Sequence, residues 1–85
     1  MTAAEIEAAV FDLEEVRIVI RSPAREALGD FTYTRKAAGT ASIAEWIEQR
    51  ITPLLNGHEV IVVNGRGEVP SRRTRMETLR ATYAA

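Results

Sequence analysis

Of 85 residues, 39 are apolar and 13 of those are alanine, which leaves 26 large apolar side chains, enough for one small core and too few for two. With no cysteine and a single histidine, disulfides, thiolate metal sites and histidine clusters are excluded, so oligomerisation or partner binding is the expected reinforcement of a small domain. The 11 basic and 12 acidic residues give a formal charge of −1, which argues against a dedicated nucleic-acid binder, yet the charges are segregated. Glu5, Glu7, Asp12, Glu14 and Glu15 crowd the first 15 residues with no cation among them, whereas Arg66, Arg72, Arg73, Arg75 and Arg80 face only Glu68 and Glu77.

Thr2-Ala3-Ala4-Glu5 reads as a capping box, in which the threonine hydroxyl accepts from a free backbone N–H and the glutamate reaches back. Ile6, Ala9, Val10 and Leu13 follow at helical spacing, predicting an amphipathic helix over residues 3–13. From Glu15 to Arg21 the period becomes two. Val16, Ile18 and Ile20 share one face of a half-buried strand, with Arg17, Val19 and Arg21 on the other. After a connection over 22–30, the β-branched and aromatic residues Phe31, Thr32, Tyr33, Thr34 and Arg35 predict a second strand, paired antiparallel with the first.

Ser42-Ile43-Ala44-Glu45 is a second capping box, and Ile43, Ile47 and Ile51 recur every four residues behind it, flanked by Trp46, Leu54 and Leu55. Pro53 should tighten, kink or end this helix near Thr52, and Asn56-Gly57 stops it. Val60-Ile61-Val62-Val63 is apolar on both faces and predicts the central, most buried strand. Asn64-Gly65-Arg66-Gly67 ends it. Thr74-Arg75-Met76-Glu77 reads as a third capping box opening a short last helix, with Met76, Leu79 and Tyr83 as its buried stripe. The expected architecture is therefore a single α+β domain spanning residues 1–85, in the order α-β-β-α-β-α, with a three-stranded mixed sheet packed by helices. Such a sheet leaves an open edge suited to self-association or strand addition.

No constellation of catalytic or metal-ligating residues is present, so neither a catalytic site nor a cofactor is expected. His58 lacks an evident partner, since Glu59 points to the opposite side of a strand. The glycine pair of Asn64-Gly65-Arg66-Gly67 completes neither a dinucleotide fingerprint nor a P-loop, and a plain turn is the simpler reading. Trp46, Phe31 and Tyr33 are more economically core residues than binding anchors or base-stacking platforms.

The arginines carry the functional reading. If Thr74 caps the last helix, Arg72, Arg73 and Arg75 surround its N-terminus, where cations are unfavourable unless an anion joins them. That anion is either internal, from the Glu14-Glu15 region or Glu77, or external. The expectation is a non-catalytic protein-interaction module, an accessory, adaptor or inhibitor, that presents Arg66, Arg72, Arg73, Arg75 and Arg80 to an acidic protein surface. The alternative is contact of the same arginines with nucleic-acid phosphates. The N-terminus has no basic leader and no apolar run approaches the ~20 residues of a bilayer span, which predicts a cytoplasmic protein without a membrane partner.

Overall fold

The computed structural model describes residues 1–83. Helix α1 (Ala3–Glu14) opens on the Thr2 capping box, with the Glu5 carboxylate accepting from the Thr2 N–H at 2.8 Å. It buries Ala3, Ile6, Val10 and Glu14, and ends where Glu15 turns left-handed at φ 61° and donates its N–H to the Phe11 carbonyl. The reversal feeds strand β1 (Arg17–Arg21), whose burial alternates as its sequence does, with Ile18 and Ile20 inward.

β1 pairs antiparallel with strand β2 (Glu59–Val63), in a register running from Arg17 opposite Val63 to Arg21 opposite Glu59. These are the sheet's two strands, so the expected three-stranded mixed sheet is corrected to a two-stranded antiparallel one. Residues 31–35 form no strand, and β2 is not a central strand. The reason lies in the partners that residues 28–37 find. Leu28 donates its N–H to the Met1 carbonyl, Phe31 buries its ring, and the Arg35 and Ala37 carbonyls accept from the guanidinium groups of Arg50 and Arg80. Strand propensity expresses how well a side chain fits a pleated surface, and here side chains rather than a neighbouring strand satisfy the backbone.

Helix α2 (Ile43–Trp46) starts at the Ser42 capping box and runs on into wide π-type turns over Ile47–Ile51 and a tight 3-10 turn over Thr52–Leu54 that contains Pro53. The missing proline N–H thus forces the expected change of winding. Asn56 and Gly57, at φ 51° and 85°, turn the chain into β2. Helix α3 (Met76–Ala81) buries Met76 and Leu79. Its N-cap is Arg75, which makes no side-chain capping bond, so the Thr74 capping box is also corrected. The physical substitute is mutual capping by backbone. Ile43 and Ala44, opening α2, donate to the carbonyls of Thr74 and Arg72, while Met76 and Glu77, opening α3, donate to those of Ala41 and Gly39. Ile6, Val10, Val16, Ile43, Trp46, Ile51, Leu55, Met76 and Leu79 then meet in one core between the helices and the inner face of the ribbon. Among the described residues, no helix is long and apolar enough to cross a membrane.

Candidate functional site

The five arginines divide into two groups. Arg66, Arg72, Arg73 and Arg75 lie exposed on the stretch that leaves β2 and leads to α3. Two weak local carboxylates approach them, Glu68 at 3.8 Å from Arg66 and Glu77 at 4.0 Å from Arg75, all four side chains being open to water. Exposed pairs at such distances contribute little and leave the guanidinium forks available. The stretch is nevertheless fixed. Asn64 donates its N–H to the Glu68 carbonyl, the Thr74 N–H reaches Ser71, and an isolated bridge joins Arg75 to Ser42. Arg72 also lays its Nη2 on the Val60 carbonyl at 3.3 Å, at the edge of β2 away from β1. Between stretch and strand lies a slot of about 250 Å³ walled by Ile43, Val60, Val62, Val69 and Pro70, with Arg72 at its border.

Arg80 behaves differently. Its side chain is 15% exposed and every nitrogen is engaged, Nε with the Glu14 carbonyl at 2.9 Å, Nη1 with the Ala37 carbonyl at 3.0 Å and Nη2 with Glu14 Oε1 at 3.0 Å. Glu14 is wholly buried and saturated. Oε1 also accepts from the Ala37 N–H, and Oε2 accepts from Trp46 Nε1 and Arg50 Nη1, each at 2.9 Å. Two guanidinium groups against one carboxylate would leave excess positive charge, which the Arg35 and Ala37 carbonyls and the Tyr33 ring, 4.1 Å from the Arg50 guanidinium carbon, offset. This cluster staples α1, α2 and α3 together, and its carboxylate has no exposed surface on which to meet a substrate. The acidic front of the chain therefore reaches the basic back through one buried residue, and four arginines remain outside that pairing.

Each other singled-out residue has a defined place. His58 Nε2 lies 2.9 and 2.8 Å from the two Glu26 oxygens, and since a carboxylate only accepts, the imidazole donates. Glu26 sits below its ordinary pKa because the Asn56 amide and then His58 hydrogen-bond its charged form. The arrangement ties the 22–28 connection to the end of the α2 run. In the glycine loop, Arg66 and Glu68 donate their N–H groups to Asn64 Oδ1 and Gly67 donates to the Asn64 carbonyl, so the turn consumes the donors a phosphate would need. The same mutual capping that replaces the Thr74 box occupies the first N–H groups of α3, which closes that helix end to an external anion as well.

One surface lay outside the sequence expectations. Ala4, Ala8 and Phe11 form a second apolar stripe on α1, and Val19 stands among the arginines on the outer face of β1. Together with Arg17 and Val63 they line an open groove of about 690 Å³. Phe11 and Val19 are 44% and 46% exposed, and what marks them is that both lie on the same groove rather than singly on the surface. The signal was present as an apolar residue interrupting each polar face.

Comparison of the chain with protein-family models, with curated proteins and with solved structures gives no match.

Proposed function

We propose that this protein is a non-catalytic interaction module of the cytoplasm that binds an acidic protein surface through Arg66, Arg72, Arg73 and Arg75. The observation that supports it is their setting, four exposed guanidinium groups on a backbone held at both ends, beside an apolar slot. Protein interfaces combine a small apolar pocket for an anchoring side chain with a polar rim, and arginine is enriched among the residues that dominate their affinity. The partner brings carboxylates for the arginines and one large apolar side chain for the slot between Val60 and Val69. Arg80 is left out of this surface, because its donors are spent on Glu14 and Ala37.

The test is capture with the purified chain as bait from the cells that make it, compared with bait carrying Arg72→Ala and Arg73→Ala. The reading expects a discrete acidic partner that the double substitution releases. Capture indifferent to the substitution overturns it. Retention on a random duplex that falls steeply with salt, with a smaller slope in the double variant, would instead establish the phosphate-binding alternative.

A further inference from the structure

The groove between α1 and β1 is separate from the arginine stretch. The Glu7 carboxylate accepts from the Ile20 N–H at 2.8 Å, which places α1 along the edge of β1 that β2 does not use, whereas Arg72 meets the opposite edge of the ribbon at Val60. Across the outer face, three columns run side by side. The α1 column carries Glu7 and Asp12 around Ala4, Ala8 and Phe11; the β1 column carries Arg17 and Arg21 around Val19; the β2 column carries Glu59, Ile61 and Val63. Acidic and basic columns thus flank one apolar groove.

We propose that a second copy of this chain covers the groove, forming a two-fold dimer. A two-fold interface must be self-complementary, each patch facing its own image. An axis along the groove, parallel to β1, lays each α1 over the partner's β1 without changing level along the strand. The levels match in charge. The Arg17 guanidinium carbon lies 5.3 Å from the Phe11 ring, so Phe11 and Asp12 stand at the Arg17 end, while Glu7 stands beside Ile20 and hence next to Arg21. Asp12 of each copy then meets the partner's Arg17, Glu7 meets the partner's Arg21, and the Ala4, Ala8 and Phe11 stripe closes over the partner's Val19. A helix and a ribbon each about 18 Å long remove on the order of 500 Å² per copy. Such a contact stands near the lower limit of about 1,000 Å² for a specific interface, the range of weak and transient association.

Sedimentation equilibrium of the whole chain over roughly 1 μM to 1 mM tests this. The parent should pass from monomer to dimer. Arg17→Glu alone and Asp12→Arg alone each place like charges together twice per dimer and should weaken it about tenfold or more. Mixed one to one, the two variants should form a heterodimer, because Glu at 17 then faces Arg at 12 and the native Asp12 faces the native Arg17. Arg73→Glu, in the other surface, should leave dimerisation unchanged, which separates this dimer from binding through the arginine stretch. A parent that stays monomeric at about 1 mM, single variants that associate like the parent, a mixture of variants with native circular dichroism that does not associate, or a dimer lost in Arg73→Glu each overturns the proposal.

Discussion

Substitution of Glu14 by glutamine preserves shape and removes one charge, and the geometry sets its cost. Each carboxylate oxygen holds two donors, Oε1 the Ala37 N–H and Arg80, Oε2 the Trp46 indole and Arg50. Whichever oxygen becomes an amide nitrogen, two hydrogen bonds to the ionised carboxylate are lost, one from an uncharged N–H and one from a guanidinium, and their donors face another donor. At about 1.5–3 kcal/mol for each bond to a charged group, Glu14→Gln should destabilise by about 3–6 kcal/mol. A domain of this length has about 4–13 kcal/mol in total, so the substitution removes a large share and should lower Tm by roughly 12–48 °C. Urea and thermal unfolding followed by far-ultraviolet circular dichroism measure it directly. A loss below about 1 kcal/mol would refute the reasoning, since the donors would then have found water or other acceptors.

Gly65→Ala would set a methyl group 1.8 Å from the Thr82 carbonyl oxygen, which is backbone and cannot step aside cheaply. The shift should also pull away Tyr83, whose hydroxyl joins the Arg17 N–H to the Val63 carbonyl at the end of the ribbon. A loss of about 2 kcal/mol or more is expected in urea, and an unchanged midpoint would show that the end of α3 is free to move. Glu5 and Glu45 are held below their ordinary value of 4.5 by the N–H groups of Thr2 and Ser42, Glu15 by Lys36, and Glu26 by Asn56 and His58. A depressed carboxylate pKa stabilises the fold above the unfolded value and loses that contribution as pH falls through the folded one, so Tm should decline below pH 4.5 through these four groups. Glu26→Gln should make that decline shallower; an identical acid limb would show that the His58 and Asn56 contacts do not persist in solution.

Much of the fold is local and was therefore legible. The boxes at Thr2 and Ser42, the period-two face of β1, the β-branched run of β2 and the helix interrupted at Pro53 each depend on residues within a few positions of one another. What escaped is set by distant partners. Nothing near Tyr33 reveals that Arg50 will stack on it and take the Arg35 carbonyl, so Phe31–Arg35 looks like a strand. Thr74 has the spacing of a capping residue, but the carbonyls of Gly39 and Ala41 reach the same N–H groups from more than thirty residues away. At the site, the exposed arginines could be read from charge alone, whereas the removal of Arg80 from that set depends on a carboxylate 66 positions earlier. Phe11 and Val19 were visible as exceptions to the pattern, and only the packing of α1 beside β1 turns two exceptions into one groove.

The mutual capping of α2 and α3 bears on the order in which the molecule can be built. Neither helix start is satisfied until both stretches exist, and the last rung of the ribbon waits for Tyr83. A chain emerging from the ribosome can therefore wind α1 and gather its apolar side chains early, but it cannot complete its native contacts until residue 83 has been synthesised. Folding is consequently completed when the α3 stretch joins the rest rather than progressively along the chain. In the interval α2 has its Ser42 capping box but not the Thr74 and Arg72 carbonyls that take the N–H groups of Ile43 and Ala44, and the strand pair is unsealed, which is the period in which an assisting chaperone or a proteolytic check would act on the chain.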